Sequence, residues 1–267
     1  MVKKKSNPLN KRFLRELKSE AGKYIVLFVF IAGVIALVSG FLVASGSMSQ
    51  AYDESFEKYN IEDGNFEVKR EASSGLLDAL QKDGTKIYPN FYKEEQTKNV
   101  ESTLRIFKKR TEIDLECLME GSFPEDENEI AIDRMYAVNN KISVGDVMEL
   151  GDVSYTICGL VALSDYSALF SSTSDMMFDA VRFGVAIVTE DGFNKINDDH
   201  LHYNYSWRYS ERPADEKEAK TLSESFLKTL YVNVLLNLNG VEGFIPEYVN
   251  QAIIFTGDDI KGDNAMF

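Results

Sequence analysis

The chain has 267 residues, of which 44% are hydrophobic and 27% charged, and it carries a formal net charge of −14. So acidic a chain lacks the basic footprint that nucleic-acid phosphates demand, which excludes nucleic acid as a partner. The length suits one membrane anchor with one or two compact lobes and is short for a multi-span transporter.

The charge is unevenly placed. Residues 1–23 hold Lys3, Lys4, Lys5, Lys11, Arg12, Arg15, Lys18 and Lys23 against Glu16 and Glu20, a net of +6 that leaves −20 on the remainder. On a helix, Leu9, Phe13, Leu14, Leu17 and Ala21 share one face and Lys11, Arg12, Arg15 and Lys18 the other. The lead 1–23 therefore reads as a basic amphipathic helix lying on the inner leaflet.

Residues 24–44, YIVLFVFIAGVIALVSGFLVA, form an uncharged run of 21 residues. At about 1.5 Å per residue it spans the ~30 Å hydrocarbon core. Its many Leu, Ile, Val and Phe residues favour insertion, and the positive-inside bias places 1–23 in the cytoplasm and everything after Ser45 outside the plasma membrane. The rival reading is a signal peptide cleaved near Ala44-Ser45-Gly46, but the run exceeds the apolar core of about 7–15 residues that such peptides use. Within the run Ala32, Ala36, Gly40 and Ala44 recur at every fourth position, a stripe that another helix could approach closely. Met48, Tyr52, Phe56 and Tyr59 keep helical spacing, so a stalk helix is expected over 45–60.

From Ile61 the pattern shifts to short elements. Strands are expected at Asn65–Arg70, Lys86–Lys98 and Thr103–Lys109, with a helix at Ser74–Gln81 closed by Asp83-Gly84. Glu129–Asp133 reads as a strand, and Val147–Leu150 with Val153–Leu160 reads as a hairpin across Gly151-Asp152. A second βαβ unit follows at Val185–Thr189, Asp191–Ile196 and His202–Tyr209, and Pro213 opens an amphipathic helix over Ala214–Tyr231. Strands and helices without regular alternation define an α+β class. The core domain is expected over 61–253, able to fold alone, with 254–267 as a linker toward a second span.

Site chemistry is sparse. His200 and His202 lie beside Asp198 and Asp199, but four coordinating groups are not evident and a solvated strand edge is favoured over a metal site. Asp258, Asp259, Asp263 and Asn264 miss the alternating spacing of a calcium loop. There is no phosphate loop of the GxxxxGK type and no Gly-x-Ser-x-Gly elbow, so neither ATP hydrolysis nor serine catalysis is expected of this chain. Tyr203, Tyr205, Trp207 and Tyr209 share one strand face; core packing is their default role, with a ligand-facing aromatic patch as the alternative. Cys117 and Cys158 could pair, though two separate half-buried thiols are favoured.

The stretch Glu120–Val161, EGSFPEDENEIAIDRMYAVNNKISVGDVMELGDVSYTICGLV, resembles the extracytoplasmic core domain of FtsX-like ABC transporter permeases of the MacB type. The shared pattern is a Gly and a Pro, then "EIAID", a helix, "VGD", a strand pair and a "GLV" exit. The lead LNKRFLRELKSEAGKY, the span and the stalk DESFEKYN resemble the elbow helix, first span and stalk of the same permeases, so the likeness runs from Leu9 to about Ile196. It implies a permease half that is not an enzyme and needs no cofactor of its own. ATP would be bound by a separate cytoplasmic ABC ATPase subunit, and a second permease half would be a partner within the membrane. The outer domain would transmit ATP-driven motion for export or sensing of a hydrophobic, lipid or peptide ligand. It also implies a lobe built from 61–110 and 182–231, split by a smaller β-rich insert at about 111–166. The family's three later spans have no counterpart in these residues, and 201–267 carries no matching motif. The competing reading is a single-pass receptor or adhesion ectodomain.

Overall fold

The computed structural model describes residues 15, 18–81, 84–98, 100–172, 175–214, 216–237 and 244–247. The lead over 1–14, the residues 248–253 and the acidic linker 254–267 lie outside the described residues. The chain divides into two units, one holding the first helix as far as Ala51 and the other beginning at Tyr52.

Helix α1 (Ala21–Lys58) is 38 residues long. Among the described residues it alone is long and apolar enough to cross a membrane. Its large side chains from Tyr24 to Val43 are exposed, an arrangement that water disfavours and lipid accommodates.

The second unit opens with β1 (Gly64–Val68), α2 (Ser74–Leu80), β2 (Lys86–Pro89), β3 (Tyr92–Gln96) and β4 (Thr103–Lys108). The Ser73 hydroxyl caps α2 by accepting the Leu76 N–H at 3.3 Å, which satisfies one orphan donor of the first turn. The single strand expected over Lys86–Lys98 is instead two, β2 and β3. Pro89 and Asn90 break it: the Asn90 N–H goes to the Asn204 carbonyl and its side chain to Ser206, so the chain leaves one neighbour and takes up another.

Next come β5 (Cys117–Gly121), β6 (Glu129–Asp133), α3 (Arg134–Asn140), β7 (Val147–Leu150) and β8 (Val153–Ala162). Asp133 ends β6 and caps α3, its Oδ1 accepting the Met135 and Tyr136 N–H groups at 2.7 and 3.0 Å. The β7–β8 hairpin turns at Gly151-Asp152 as expected, with Gly151 at φ 55°. The last elements are β9 (Phe183–Val188), α4 (Glu190–Asn194), β10 (Leu201–Arg208), α5 (Glu216–Asn237) and β11 (Phe244–Glu247).

The strands run in the order β11-β1-β10-β3-β4-β9-β6-β8-β5, with β2 also on β10 and β7 also on β8. Strand β9 is buried along its whole length, as the uninterrupted FGVAIV predicts for a strand covered on both faces. It pairs with β4 in parallel and with β6 antiparallel. Strand β10 is the joint: Leu201 and His202 pair with β3, while Tyr203–Trp207 pair with β1.

Two hydrophobic clusters result. The larger draws on β3, β4, β6 to β9, α3 and α4, and the smaller on β1, α2, β10 and α5. Residues of 111–166 share a core with β3, β4 and β9, because β9 lies between β4 and β6 and joins them into one sheet.

The residues that carry the family likeness have local physical reasons. Gly121 and Gly159 are cross-strand partners on β5 and β8. A Cβ at Gly121 would lie 2.3 Å from the Cys158 carbonyl oxygen and one at Gly159 2.2 Å from that of Ser122, so neither site admits a side chain without backbone movement. In "VGD" the Asp146 carboxylate accepts the Ser143 N–H at 2.8 Å, closing the turn into β7.

Candidate functional site

On β1, β3, β4 and β10 the residues Asn65 and Glu67, Tyr92 and Glu94, Thr103 and Arg105, and His202 and Asn204 are each two apart. Successive strand side chains alternate between faces, so these pairs emerge together. They form one wall of a cleft of about 650 Å³, and residues between Asp165 and Ser172 and between Asp175 and Phe183 supply the other.

Arg105 ties the two walls. Its Nε and Nη2 donate to Glu94 Oε1 at 3.0 and 2.7 Å, Nη1 donates to the Tyr166 hydroxyl at 2.7 Å, and Nη2 also donates to the Ser171 carbonyl at 3.0 Å. The guanidinium lies 4.3 Å from the centre of the Tyr92 ring, a cation–π contact that favours the charge where water is scarce. Beside it the Tyr92 hydroxyl donates to Glu67 Oε2 at 2.6 Å, and His202 Nδ1 sits 2.9 Å from Glu67 Oε1. The His202 ring stacks on Tyr92 at 4.6 Å. Burial alone would raise the Glu67 carboxyl, but the bonds from His202 and Tyr92 outweigh it and hold the group below its ordinary value. The same bond to Glu67 raises His202 above its ordinary value.

Below the cleft lies a buried charged network. Arg110 makes a two-pronged ion pair with Asp165 at 2.7 and 2.8 Å and donates to Asn90 Oδ1 at 3.1 Å and to the Asp114 carbonyl at 3.0 Å. Asp114 is fully buried; its Oδ1 accepts the Glu62 N–H at 2.9 Å and its Oδ2 the Ser206 hydroxyl at 3.3 Å. Glu62, Asn90 and Asp165 belong to both the network and the cleft wall. The cleft is lined by six carboxylates, Glu62, Glu67, Glu94, Asp165, Asp175 and Asp179, against Arg105 and Arg182.

The aromatic stripe lies elsewhere. Tyr205 and Trp207 are buried in the smaller cluster, and Tyr203 and Tyr209 pack against it. Trp207 stacks on Phe226 at 4.4 Å and Tyr205 on Phe66 at 5.4 Å. The alternative of a ligand-facing patch is thus not where the structure puts them: the cleft receives the alternate residues of the strand, His202 and Asn204. His200 and His202 do not converge either, since His200 Nδ1 meets Glu95 at 2.7 Å while Asp198 pairs with the buried Lys93 at 2.8 Å. Cys117 and Cys158 are separate, half-buried thiols, and burial pushes the Cys158 thiol up to about 11. Ala32, Ala36, Gly40 and Ala44 are exposed on α1. A methyl at Gly40 would meet nothing beyond its own helix backbone within 4 Å.

No family model matches the chain, and no curated protein matches its sequence. Among solved structures it is similar to the extracellular domain of the noncanonic ABC-type transporter YknZ from Gram-positive bacteria, at 12% identity and a TM-score of 0.37, over 68% of this chain and 98% of that one. It is also similar to the periplasmic region of MacB from Actinobacillus actinomycetemcomitans, at 13% identity and a TM-score of 0.35, over 73% and 92%.

Proposed function

We propose that the chain is the amino-terminal part of a permease subunit of an FtsX/MacB-type ABC transporter, held in the plasma membrane by α1 with its amino terminus cytoplasmic and its body outside. In this reading it is not an enzyme; a cytoplasmic ATPase binds ATP, a second permease half completes the membrane part, and the body relays motion to a ligand or partner outside. The reading is carried by the way the chain enters the body. Helix α1 runs on past its apolar stretch to Lys58, and the residues that follow are bonded into the folded unit. The Leu115 N–H donates to the Tyr59 carbonyl at 2.8 Å and the Asp114 N–H to that of Asn60 at 3.1 Å. A tether that only anchors has no use for such fastening, whereas a relay depends on it. The acidic cleft is the surface this body offers a ligand, and its charge favours a cationic one.

The test is to purify the protein, with the whole of its coding region, from its native membrane. Recovery of an ABC ATPase with it, and ATP turnover in the membrane, is the expected result; a protein recovered alone would favour the receptor or adhesion reading. In the same assay Gly40→Leu is expected to weaken assembly while leaving insertion intact, since Leu itself favours the bilayer and close packing along Ala32, Ala36, Gly40 and Ala44 would be lost. Wild-type assembly with Leu at both 36 and 40 would leave α1 as an anchor only.

A further inference from the structure

Helix α1 ends in a Schellman motif. Asn60 takes the left-handed conformation at φ 49°. The Ile61 N–H reaches back to the Phe56 carbonyl at 3.1 Å and the Asn60 N–H to that of Glu57 at 3.4 Å, the two bonds that define such a cap. Ile61 is buried, so the chain leaves the last turn in a fixed direction. That turn and the residues after it belong to the folded unit that begins at Tyr52.

The residues that follow are shared with the cleft. Glu62 and Asn65 line it, and Asn65 Nδ2 donates to Glu62 Oε1 at 2.6 Å. The segment is fastened on two sides. The Asp63 N–H donates to the Trp207 carbonyl at 2.9 Å and Asp63 Oδ2 accepts the Tyr209 N–H at 2.8 Å, which seats it on β10. On the other side the Glu62 N–H goes to Asp114 Oδ1, and Asn60 Nδ2 to the Glu112 carbonyl. From Asp114 the bonds continue to the opposite wall: Arg110 donates to the Asp114 carbonyl and grips Asp165. The next residue, Tyr166, accepts from Arg105, which also holds Glu94 on the first wall. Both walls are thus bonded through to the residues that follow α1. In a buried network of this kind the loss of one member leaves its neighbours short of partners, so the members open together.

We infer that the two cleft walls and residues 56–63 form one cooperative unit: a change in how the walls are held is felt at the end of α1, and a displacement of that end is felt in the cleft. The coupling is reciprocal by linkage. If holding the walls together stabilises the seating of the helix end, seating that end stabilises the closed walls by the same factor. A ligand that bridges the walls is thereby registered at the helix. This coupling rests on the proposed function only in taking the cleft as the ligand surface. It needs no ATPase, so its failure would leave the permease reading to its own test, and loss of that reading would leave the coupling to be measured.

The test is hydrogen–deuterium exchange on the full chain in detergent, comparing wild type with a variant at each end of the network. Tyr166→Phe keeps the ring that packs on Phe107 and Phe183 and removes only the hydroxyl that accepts from Arg105. It should lower protection by about fivefold at the Glu62 and Leu115 amides as well as at Tyr166 itself. The Thr156 amide, bonded to the Asn128 carbonyl at 2.7 Å, should be unchanged. Asn60→Ala acts from the other end: alanine is strained at positive φ and cannot bond to the Glu112 carbonyl. It should lower protection at Tyr166 by a similar factor, again with Thr156 unchanged. Exchange at Thr156 reports whether each variant is folded; if one is not, the other decides. Loss confined to the mutated end, or no loss at all, overturns the proposal. An equal loss at Thr156 in a folded variant does so too, because the walls and the helix end would then have no unit of their own.

Discussion

Strand β10 presents two unlike faces within eight residues. Tyr203, Tyr205 and Trp207 turn one way, into the cluster with Phe66 and Phe226. His202, Asn204 and Ser206 turn the other way, to the cleft and the Asp114 network. The first face stabilises by removing apolar area from water, a gain that needs no partner of defined chemistry. The second buries polar groups at a cost that only correct pairing offsets. The comparison teaches where change is tolerated: the aromatic face loses stability in proportion to volume removed, and the polar face in proportion to charges left unmatched.

The largest expected effect tests the aromatic face. Trp207→Ala removes a fully buried ring stacked on Phe226 and should lower unfolding free energy by about 3–5 kcal/mol, measured by denaturation followed by circular dichroism. A loss under about 1 kcal/mol would mean that the cluster collapses freely and does not organise β10. Next in size is the polar face. Asp165→Ala strips Arg110 of its two-pronged partner; the guanidinium keeps Asn90, the Asp114 carbonyl and the Phe107 ring, and the loss should cost about 3 kcal/mol. Replacing Arg110 and Asp165 together by Met and Leu should recover most of that, since an apolar pair of similar volume has no charge to leave unmatched. If the double variant is no better than the single one, the network stabilises by more than pairing.

A smaller effect separates neighbours on the strand. Tyr205→Phe removes the hydroxyl that accepts the Ala72 N–H at 2.9 Å but keeps the ring, so it should cost about 1–2 kcal/mol. Ser206→Ala, one residue on, takes a partner from both Asn90 and Asp114 and should cost at least as much although it removes far less volume. The opposite order would break the distinction between the faces.

Much of this was legible in the sequence. Strand β6 at Glu129–Asp133, the Gly151-Asp152 hairpin and the α+β class follow from local alternation and turn chemistry, and the aromatic stripe was readable as core. The charged network was not. Loop 111–116 has no period of its own, and its decisive bonds reach residues 52 and 92 positions away. Strand β5 was missed for a related reason: its register shifts between Leu118 and Glu120, and a bulge breaks the alternation by which a strand is recognised. The cleft was hidden in plain alternation. Tyr203, Tyr205 and Trp207 mark the packed face, and the intervening His202 and Asn204 carry the polar one.

The smallest expected effect concerns that intervening face directly. Glu67 accepts from Tyr92 and meets His202, and both shifts have definite signs. His202 is raised above 6.5 by its bond to Glu67, so its contribution is complete below 6.5 and disappears as the pH rises through the folded value. Glu67 is held below 4.5, so its contribution is complete above 4.5 and disappears as the pH falls through the lowered value. The pair therefore contributes most between those two ordinary values, and the cleft carries an imidazolium there. With only two histidines in the chain, nuclear magnetic resonance titration can resolve them, His200→Gln supplying the assignment. His202 should titrate above 6.5 in the native protein, and in Glu67→Gln, with its largest raising partner gone and the charge of Glu94 left against burial and Arg105, it should come down. A His202 that titrates identically in both would mean that Glu67 does not govern it, and that the polar face of β10 is set by solvent rather than by the pairing drawn above.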